Sequence, residues 1–152
     1  MTVIIGVDPH KASHTAVAVG AEEAELSRKQ VRAGPSQATR LVSWAAPFTE
    51  RTWAIESAGG LGYLLAQQLL AAGEEVLDVP ATLASRVRVL GSGRSKKNDP
   101  NDALSVAVAA LRSRGLVEWR PSDTARSSAC SPSATPTSAI SAAGSCVVSM
   151  PS

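Results

Sequence analysis

The chain has few of the features that mark secreted or membrane proteins. Both of its cysteines, Cys130 and Cys146, lie late in the 152-residue sequence, and residues 1–124 contain none. This argues against a disulfide-built secreted domain and suits a reducing cytosol. No basic leader precedes an apolar core at the N-terminus, so we expect no signal peptide. No uninterrupted apolar run approaches the ~20 residues that span a bilayer. These absences predict a cytoplasmic protein without a membrane partner.

Acidic residues are missing from the last part of the chain. Residues 125–152 contain a single charged side chain, Arg126, and consist mainly of Ser, Ala, Pro and Thr. The stretch has the periodicity of neither a helix nor a strand, so we expect residues 122–152 to be disordered. The remaining residues, 1–121, are long enough for one domain with a single well-sized core.

The excess of positive charge is small, and its distribution is more informative than its size. The formal net charge is +2, but residues 80–98 carry five basic side chains and no acidic one: Arg86, Arg88, Arg94, Lys96 and Lys97. A solvated face usually mixes charges of both signs. The segment is therefore a candidate for contact with a nucleic-acid backbone. Lys11 is a further candidate for a phosphate contact, although an exposed lysine in a turn is the commoner case.

The order of the apolar patterns predicts an α/β fold. Five segments have the composition of strands: 3–7, 15–19, 30–33, 52–55 and 75–79. Helices are expected over about 36–46, 61–72, 81–90 and 100–114. In the second helix the predicted buried stripe is Leu61, Leu64, Leu65 and Leu69, and Gly73 fits as the C′ residue. An antiparallel start followed by alternating strands and helices predicts a mixed sheet flanked by helices.

Four carboxylates lie where such a fold can bring them together. Asp8 and Glu56 each end a strand, and Asp99 and Asp102 begin the last helix. The carboxyl ends of parallel strands share one edge of the sheet, and carboxylates are suitable ligands for hard cations. Clustered carboxylates repel one another unless cations neutralise them. The combination therefore indicates one or two Mg²⁺ ions, which assist phosphodiester chemistry.

Each of these carboxylates also has a purely local explanation. Asp8 precedes a proline and can form a turn, and Glu56 can simply be exposed. Residues 99–102 match the N-cap, N1 and N3 positions of a capped helix. His14 is more simply a polar strand residue than a proton carrier. The metal hypothesis therefore depends on whether the fold brings distant carboxylates together.

Three blocks of the sequence resemble the N-terminal domain of the insertion sequence 110 family of bacterial transposases. The blocks are IIGVDPHKASHTAVAV, WAIESAGGLGYLLAQQLLAAGEEVLDVP and GSGRSKKNDPNDALSVAVAALR. In their order and spacing they carry the resemblance over about residues 2–121. Members are DEDD transposases whose catalytic domain is similar to the Holliday-junction resolvase RuvC. The resemblance therefore implies an RNase H-like (RuvC-like) mixed sheet flanked by helices.

The same resemblance implies a site and a set of partners. By resemblance, Asp8, Glu56, Asp99 and Asp102 are the catalytic tetrad and bind Mg²⁺, with Mn²⁺ as a substitute. Asn98 replaces the small hydroxyl residue usual in the family's Lys-x-Asp-x-x-Asp-Ala block, a departure that leaves the ligands in place. The implied activity is metal-dependent DNA recombination, that is, transposition of an insertion sequence. The implied partners are DNA, an element-encoded structured RNA and further copies of the chain.

The resemblance stops near residues 122–123. Family members continue into a second domain that carries a serine nucleophile, and the serines of residues 125–152 have no context that matches it. We interpret the tail as the product of a shifted reading frame and the chain as a truncated transposase catalytic domain. Two alternatives stay open. One is a stand-alone RuvC-like nuclease or resolvase, and the other is an inactive remnant that only binds nucleic acid or transposase subunits.

Overall fold

The computed structural model of the protein describes residues 2–91 and 99–121, with all their side chains except those of residues 91, 99 and 100. In chain order the elements are β1 (Val3–Pro9), β2 (Ser13–Val19), β3 (Glu25–Arg32), α1 (Gln37–Ala45), β4 (Arg51–Glu56), α2 (Tyr63–Ala71), β5 (Val76–Val79), α3 (Ala81–Gly91) and α4 (Asp99–Arg112). Arg94, Lys96, Lys97, the side chain of Asp99 and the predicted disordered tail all lie outside the described residues. Met1–Trp119 form one compact unit, and Arg120–Ser152 are assigned to another.

The five strands form one mixed sheet in the order β3-β2-β1-β4-β5. Strands β1, β2 and β3 pair antiparallel, whereas β1 with β4 and β4 with β5 pair parallel. This confirms the predicted mixed α/β sheet. Parallel neighbours need a helical crossover between them, and α1 and α2 supply the two crossovers. No helix in the described ranges is long and apolar enough to cross a membrane.

Apolar side chains of successive strand residues point to opposite sides of the sheet, so both of its faces are buried. One face packs Ile5 and Trp53 against α1 and α2, and Trp119 is buried in the same cluster. The other face packs Ile4 and Ala54 against apolar residues of α3 and α4. Because successive strand residues point to opposite faces, the parity of any β1 or β4 residue tells which helices it meets. The even-numbered residues of both strands face α3 and α4.

Helix α4 lies unusually close to β1, and Gly6 allows this approach. A Cβ atom at Gly6 would lie 2.3 Å from the carbonyl oxygen of Ala103 and 2.5 Å from the amide nitrogen of Ala107. Both are backbone atoms of α4, so no rotamer change relieves the contact. The absence of a side chain on Gly6 therefore sets the distance between α4 and the sheet.

Two predictions about the ends of strands are corrected by the structure. Strand β1 continues through Asp8 and Pro9, which pair with Thr15 and His14 of β2, instead of turning at Asp8. Strand β3 is eight residues long, although we expected only residues 30–33. As an edge strand with exposed side chains it buries little, so it lacks the apolar pattern from which strands are recognised.

The predicted apolar stripe of α2 is half wrong. Leu65 and Leu69 are fully buried as expected, but Leu61 and Leu64 are 57% and 54% exposed. The helix begins at Tyr63, so Leu61 belongs to the preceding turn. Leu64 is rotated by about 100° from Leu65 and turns toward solvent. Gly73 has φ +83°, which confirms its expected role after the helix end.

Candidate functional site

Asp8 and Glu56 lie side by side at the carboxyl ends of two parallel strands. Val7 of β1 pairs with Ile55 of β4, so the next residue on each strand is Asp8 and Glu56. Both have the parity of Gly6 and therefore face α4. Asp8 is buried and Glu56 is half-buried. The two strand-end carboxylates are thus neighbours in a partly dehydrated position.

A third predicted carboxylate reaches the same place from α4. Arg88 of α3 joins it to Glu56: its Nη2 atom lies 3.1 Å from Glu56 Oε2 and its Nε atom 3.0 Å from Asp102 Oδ1. One guanidinium therefore bridges a strand-end carboxylate and a helix carboxylate. Asp99, where α4 begins, is one helical turn before Asp102.

The pKa of Glu56 is affected by the charges of the neighbouring carboxylates. Burial raises the pKa of Glu56, and the negative charges of Asp8 and Asp102 raise it further, while Arg88 lowers it. A carboxylate is disfavoured in its charged form by both desolvation and like charges. The positive charge of Arg88 offsets part of this cost. The strand register and the two contacts of Arg88 place Asp8, Glu56 and Asp102 close to one another, in agreement with this direction.

The donor set of this acid site, defined as Asp8, Glu56 and Asp102, fits a hard divalent cation. All three side chains offer only carboxylate oxygens, which suit Mg²⁺ or Mn²⁺. Among the side chains that the structure describes, no three His, Cys, Asp or Glu residues are already arranged as a metal site. The side chain of Asp99 is not among them, and Arg88 supplies a cationic charge to two of the three carboxylates.

His10 is a neighbour of the acid site that the sequence analysis did not identify. Its Nε2 atom lies 3.0 Å from Asp8 Oδ2, and its side chain is 42% exposed. The two residues are two positions apart at the end of β1, where a period of two places side chains on the same side. That spacing is the available signal in the sequence, whereas the candidates named above in this region are Lys11 and His14.

The turn after β4 holds Glu56 in place. Ser57 has a positive φ of 52°, a backbone conformation that costs free energy in a residue other than glycine. Its amide donates to the carbonyl of Val79 at 3.0 Å, and the next amide, of Ala58, donates to Asp78 Oδ1 at 2.8 Å. Asp78 is a second residue that the sequence analysis missed. It acts on the turn rather than on the acid site.

The predicted nucleic-acid contacts occupy different environments. Lys11 and Arg86 are exposed, so their predicted phosphate contacts stay predictions. Arg88 is held by the acids as described above, and its proposed role in nucleic-acid binding also stays a prediction. His14 is buried and its Nε2 atom lies 2.7 Å from Gln37 Oε1, on the face opposite to α4. Burial lowers the pKa of His14, which fits a neutral structural residue.

Comparisons with known proteins agree on the type of fold and on the family. A transposase family model of the DEDD type named after IS110 matches residues 5–128. The chain is 31% identical over 119 residues to the insertion element IS116 uncharacterized 44.8 kDa protein of Streptomyces clavuligerus, covering 78% of this chain and 29% of that protein. The chain thus spans under a third of the length of this curated relative.

Solved structures with the same fold include two of RuvC. Thermus thermophilus RuvC in complex with a Holliday junction substrate superimposes with a TM-score of 0.54 at 16% identity, over 73% of this chain and 94% of that one. A second Thermus thermophilus RuvC structure gives a TM-score of 0.52 at 17% identity, over 72% and 93% of the two chains. These likenesses confirm the RNase H-like, RuvC-like fold. With the family match over most of the sequence, the chain belongs to the DEDD transposases of the IS110 type.

Proposed function

We propose that this chain is the metal-dependent catalytic domain of a DNA transposase, which cuts DNA strands during recombination of an insertion sequence. The observation that carries the proposal is the convergence of Asp8, Glu56 and Asp102 from three separate elements. A cluster of partly buried like charges costs stability. Carboxylates with a shifted pKa are frequent at functional sites, and the pKa of Glu56 is raised. The family match supports DNA as the substrate.

In this proposal the acid site binds Mg²⁺ or Mn²⁺, with Asp99 as a fourth ligand. A divalent ion bound there supplies positive charge to a reacting phosphate and activates the attacking oxygen. Asp8 and Glu56 are positioned by rigid strands, and Asp102 by a helix whose distance from the sheet depends on Gly6. His10 orients the Asp8 carboxylate, and Arg88 balances the carboxylates in the absence of a divalent ion.

The proposed activity of this chain is narrower than that of its longer relatives. By family resemblance the strand-transfer nucleophile is a serine of a second domain, so complete transposition is proposed for a full-length protein. For this chain we propose nicking with water as the nucleophile. A structured RNA and a second copy of the chain remain proposed partners.

A stand-alone resolvase is the second candidate. The structural match covers 94% of the RuvC chain, so the described residues include nearly the whole of a fold that exists as a separate protein. The two candidates differ in substrate: a resolvase acts on four-way junctions, whereas a transposase domain acts on element ends.

The test is cleavage of labelled DNA by the purified chain with Mg²⁺, with Mn²⁺ or with EDTA. We expect nicked product from duplex DNA only when a divalent ion is present. Symmetric cleavage of a four-way junction with no duplex nicking would favour the resolvase. Binding without cleavage, equal with EDTA and with Mg²⁺, would contradict both and leave a remnant that only binds.

Replacing Arg88 by glutamine should strengthen divalent-ion binding. The guanidinium and a metal ion compete for the same carboxylates, so we expect the Mn²⁺ dissociation constant to fall about tenfold, which corresponds to about 1.4 kcal/mol. Without metal, the melting temperature should fall, because the carboxylates lose their counter-charge. Calorimetric Mn²⁺ titration and thermal unfolding measure the two effects. Arg86→Gln, on the exposed side of the same helix, is the matched control, and an equal change in that variant would contradict the interpretation.

A further inference from the structure

A groove lined by basic side chains lies on the side of the sheet opposite to the acid site. The outer edge of β3 and the exposed side of α1 enclose an open groove of about 620 Å³, here called the β3–α1 groove. Its lining includes Lys29 and Arg32 from the strand and Arg40 from the helix, and no carboxylate. Lys29 pairs with Ala16 on the α1 side of the sheet, whereas Arg32 pairs with Ser13 and starts from the other side. Lys29 and Arg40 therefore face the groove directly, and Arg32 borders it at the edge of the strand.

These three cations differ from four of the nine arginines in the described part of the chain. Arg28, Arg51, Arg88 and Arg112 each form an ion pair with a carboxylate. No ion pair with a described residue neutralises Lys29, Arg32 or Arg40. Mixed surfaces normally place charges of opposite sign close together. An uncompensated set of three in a concave site indicates an anionic ligand.

The remaining lining suits phosphate oxygens. Thr39 and Ser43 of α1 line the groove and are exposed, so their hydroxyls are available to donate hydrogen bonds. Trp44 also lines it, but its Nε1 atom donates to Ser27 Oγ at 3.1 Å and its ring packs edge-on against Phe48. The tryptophan therefore shapes the wall and is not free to stack on a base. The lining therefore favours contact with a sugar-phosphate backbone over recognition of nucleic-acid bases.

Protection of an edge strand is the competing explanation. Charged side chains on an exposed edge discourage strand-to-strand association, and this accounts for Lys29 and Arg32, which both lie on β3. It does not account for Arg40, which lies on a helix.

We propose that the β3–α1 groove binds the sugar-phosphate backbone of a nucleic-acid strand, separately from the acid site. The groove lies on the side of the sheet that packs against α1, whereas Asp8, Glu56 and Asp102 meet on the side of α4. The groove contains no acidic group that needs a divalent ion. Binding there is therefore independent of metal and of cleavage, and it places a second segment of nucleic acid away from the strand being cut.

The experiment compares two triple variants of the full chain in EDTA. In the first, Lys29, Arg32 and Arg40 become glutamine; in the control, Arg28, Arg112 and Arg114 become glutamine, which removes the same charge. Binding of fluorescent 30-nucleotide single-stranded DNA, duplex DNA and RNA hairpin is measured between about 50 and 200 mM salt. Losing three phosphate contacts should reduce the magnitude of the slope of log affinity against log salt by about 2 for single strands and about 2.7 for duplex DNA. Binding should weaken about tenfold or more.

The outcomes separate the alternatives. A loss confined to the groove variant supports the proposal, and the probe with the largest loss identifies DNA or RNA as the ligand. An equal loss in both variants, or none, overturns it, as does selective binding of polyglutamate-like acidic peptides in competition with nucleic acid. If the triple variant unfolds, the single variant Arg40→Gln is used instead, and it should still weaken nucleic-acid binding. In the unaltered chain, binding should protect the amides of β3 and α1 from hydrogen exchange. Failure of metal-dependent cleavage would leave these results unaffected, so the two proposals fail separately.

Discussion

Replacing Asp8 by asparagine is expected to abolish metal-dependent cleavage and the stabilisation of the fold by divalent ions. Asp8 is the most buried carboxylate of the acid site, with its residue 7% exposed, and asparagine keeps its shape while removing its charge. Removing a residue that only hydrogen-bonds to a metal-binding side chain commonly lowers metal affinity or activity about 10–100-fold. Loss of a ligand should therefore lower the nicking rate and the Mn²⁺ affinity by at least about 100-fold.

The measurements for Asp8→Asn are single-turnover nicking and the shift in melting temperature with saturating Mn²⁺. The control is Asp78→Asn, the same change at a carboxylate on β5 that accepts the Ala58 amide. Asparagine keeps that acceptor, so this variant should respond to Mn²⁺ as the unaltered chain does. A thermal shift in Asp8→Asn equal to that of the unaltered protein would mean that the metal binds elsewhere.

Replacing Gly6 by alanine should destabilise the fold strongly for the addition of a single methyl group. The new Cβ would meet Ala103 O and Ala107 N at 2.3 and 2.5 Å, so α4 must move away from the sheet. Overpacking of a core commonly costs about 1–3 kcal/mol. Because the clashing atoms belong to the backbone, we expect about 3 kcal/mol and a melting temperature lower by roughly 10 °C. Chemical denaturation and thermal unfolding measure these values.

The effect of Gly6→Ala should extend to the site, because the displaced helix carries Asp102. We expect weaker Mn²⁺ binding even at temperatures where the variant is folded. Gly20→Ala is the control, since a Cβ there would meet only Leu26 side-chain atoms, at 3.6–3.8 Å. A Gly6→Ala variant as stable as Gly20→Ala would show that α4 does not pack on β1 in the described way.

Much of the fold was predictable from local patterns. The β-branched run of β1 and the glycine that ends α2 have strong intrinsic preferences, and both were recognised. The start of α2 and the extent of β3 were not. Leu64 lies on a helix whose other leucines are buried, and only the packing of that helix decides which of them faces solvent. Strand β3 is defined by its pairing with β2, so its own residues carry little signal.

The acid site was predictable only in part. Asp8, Glu56 and Asp102 were identified as candidates from their positions at element ends. That a single arginine would bridge two of them was not, because Arg88 is separated from Glu56 by 32 positions and its basic neighbours suggested a nucleic-acid surface. The pairing of His10 with Asp8 had a detectable spacing, but an exposed histidine after a proline has no distinctive pattern.

The amino-acid sequence by itself determined the class of fold, the family and the set of carboxylates available for chemistry, because strand and helix preferences and residue identity are local properties. Only the tertiary structure decided which carboxylates meet, that Arg88 bridges two of them, and that three further cations line one groove. Those relations depend on the parallel register of β1 and β4 and on the close approach of α4 over Gly6. They join residues that are distant in the chain, and no local pattern encodes such distances.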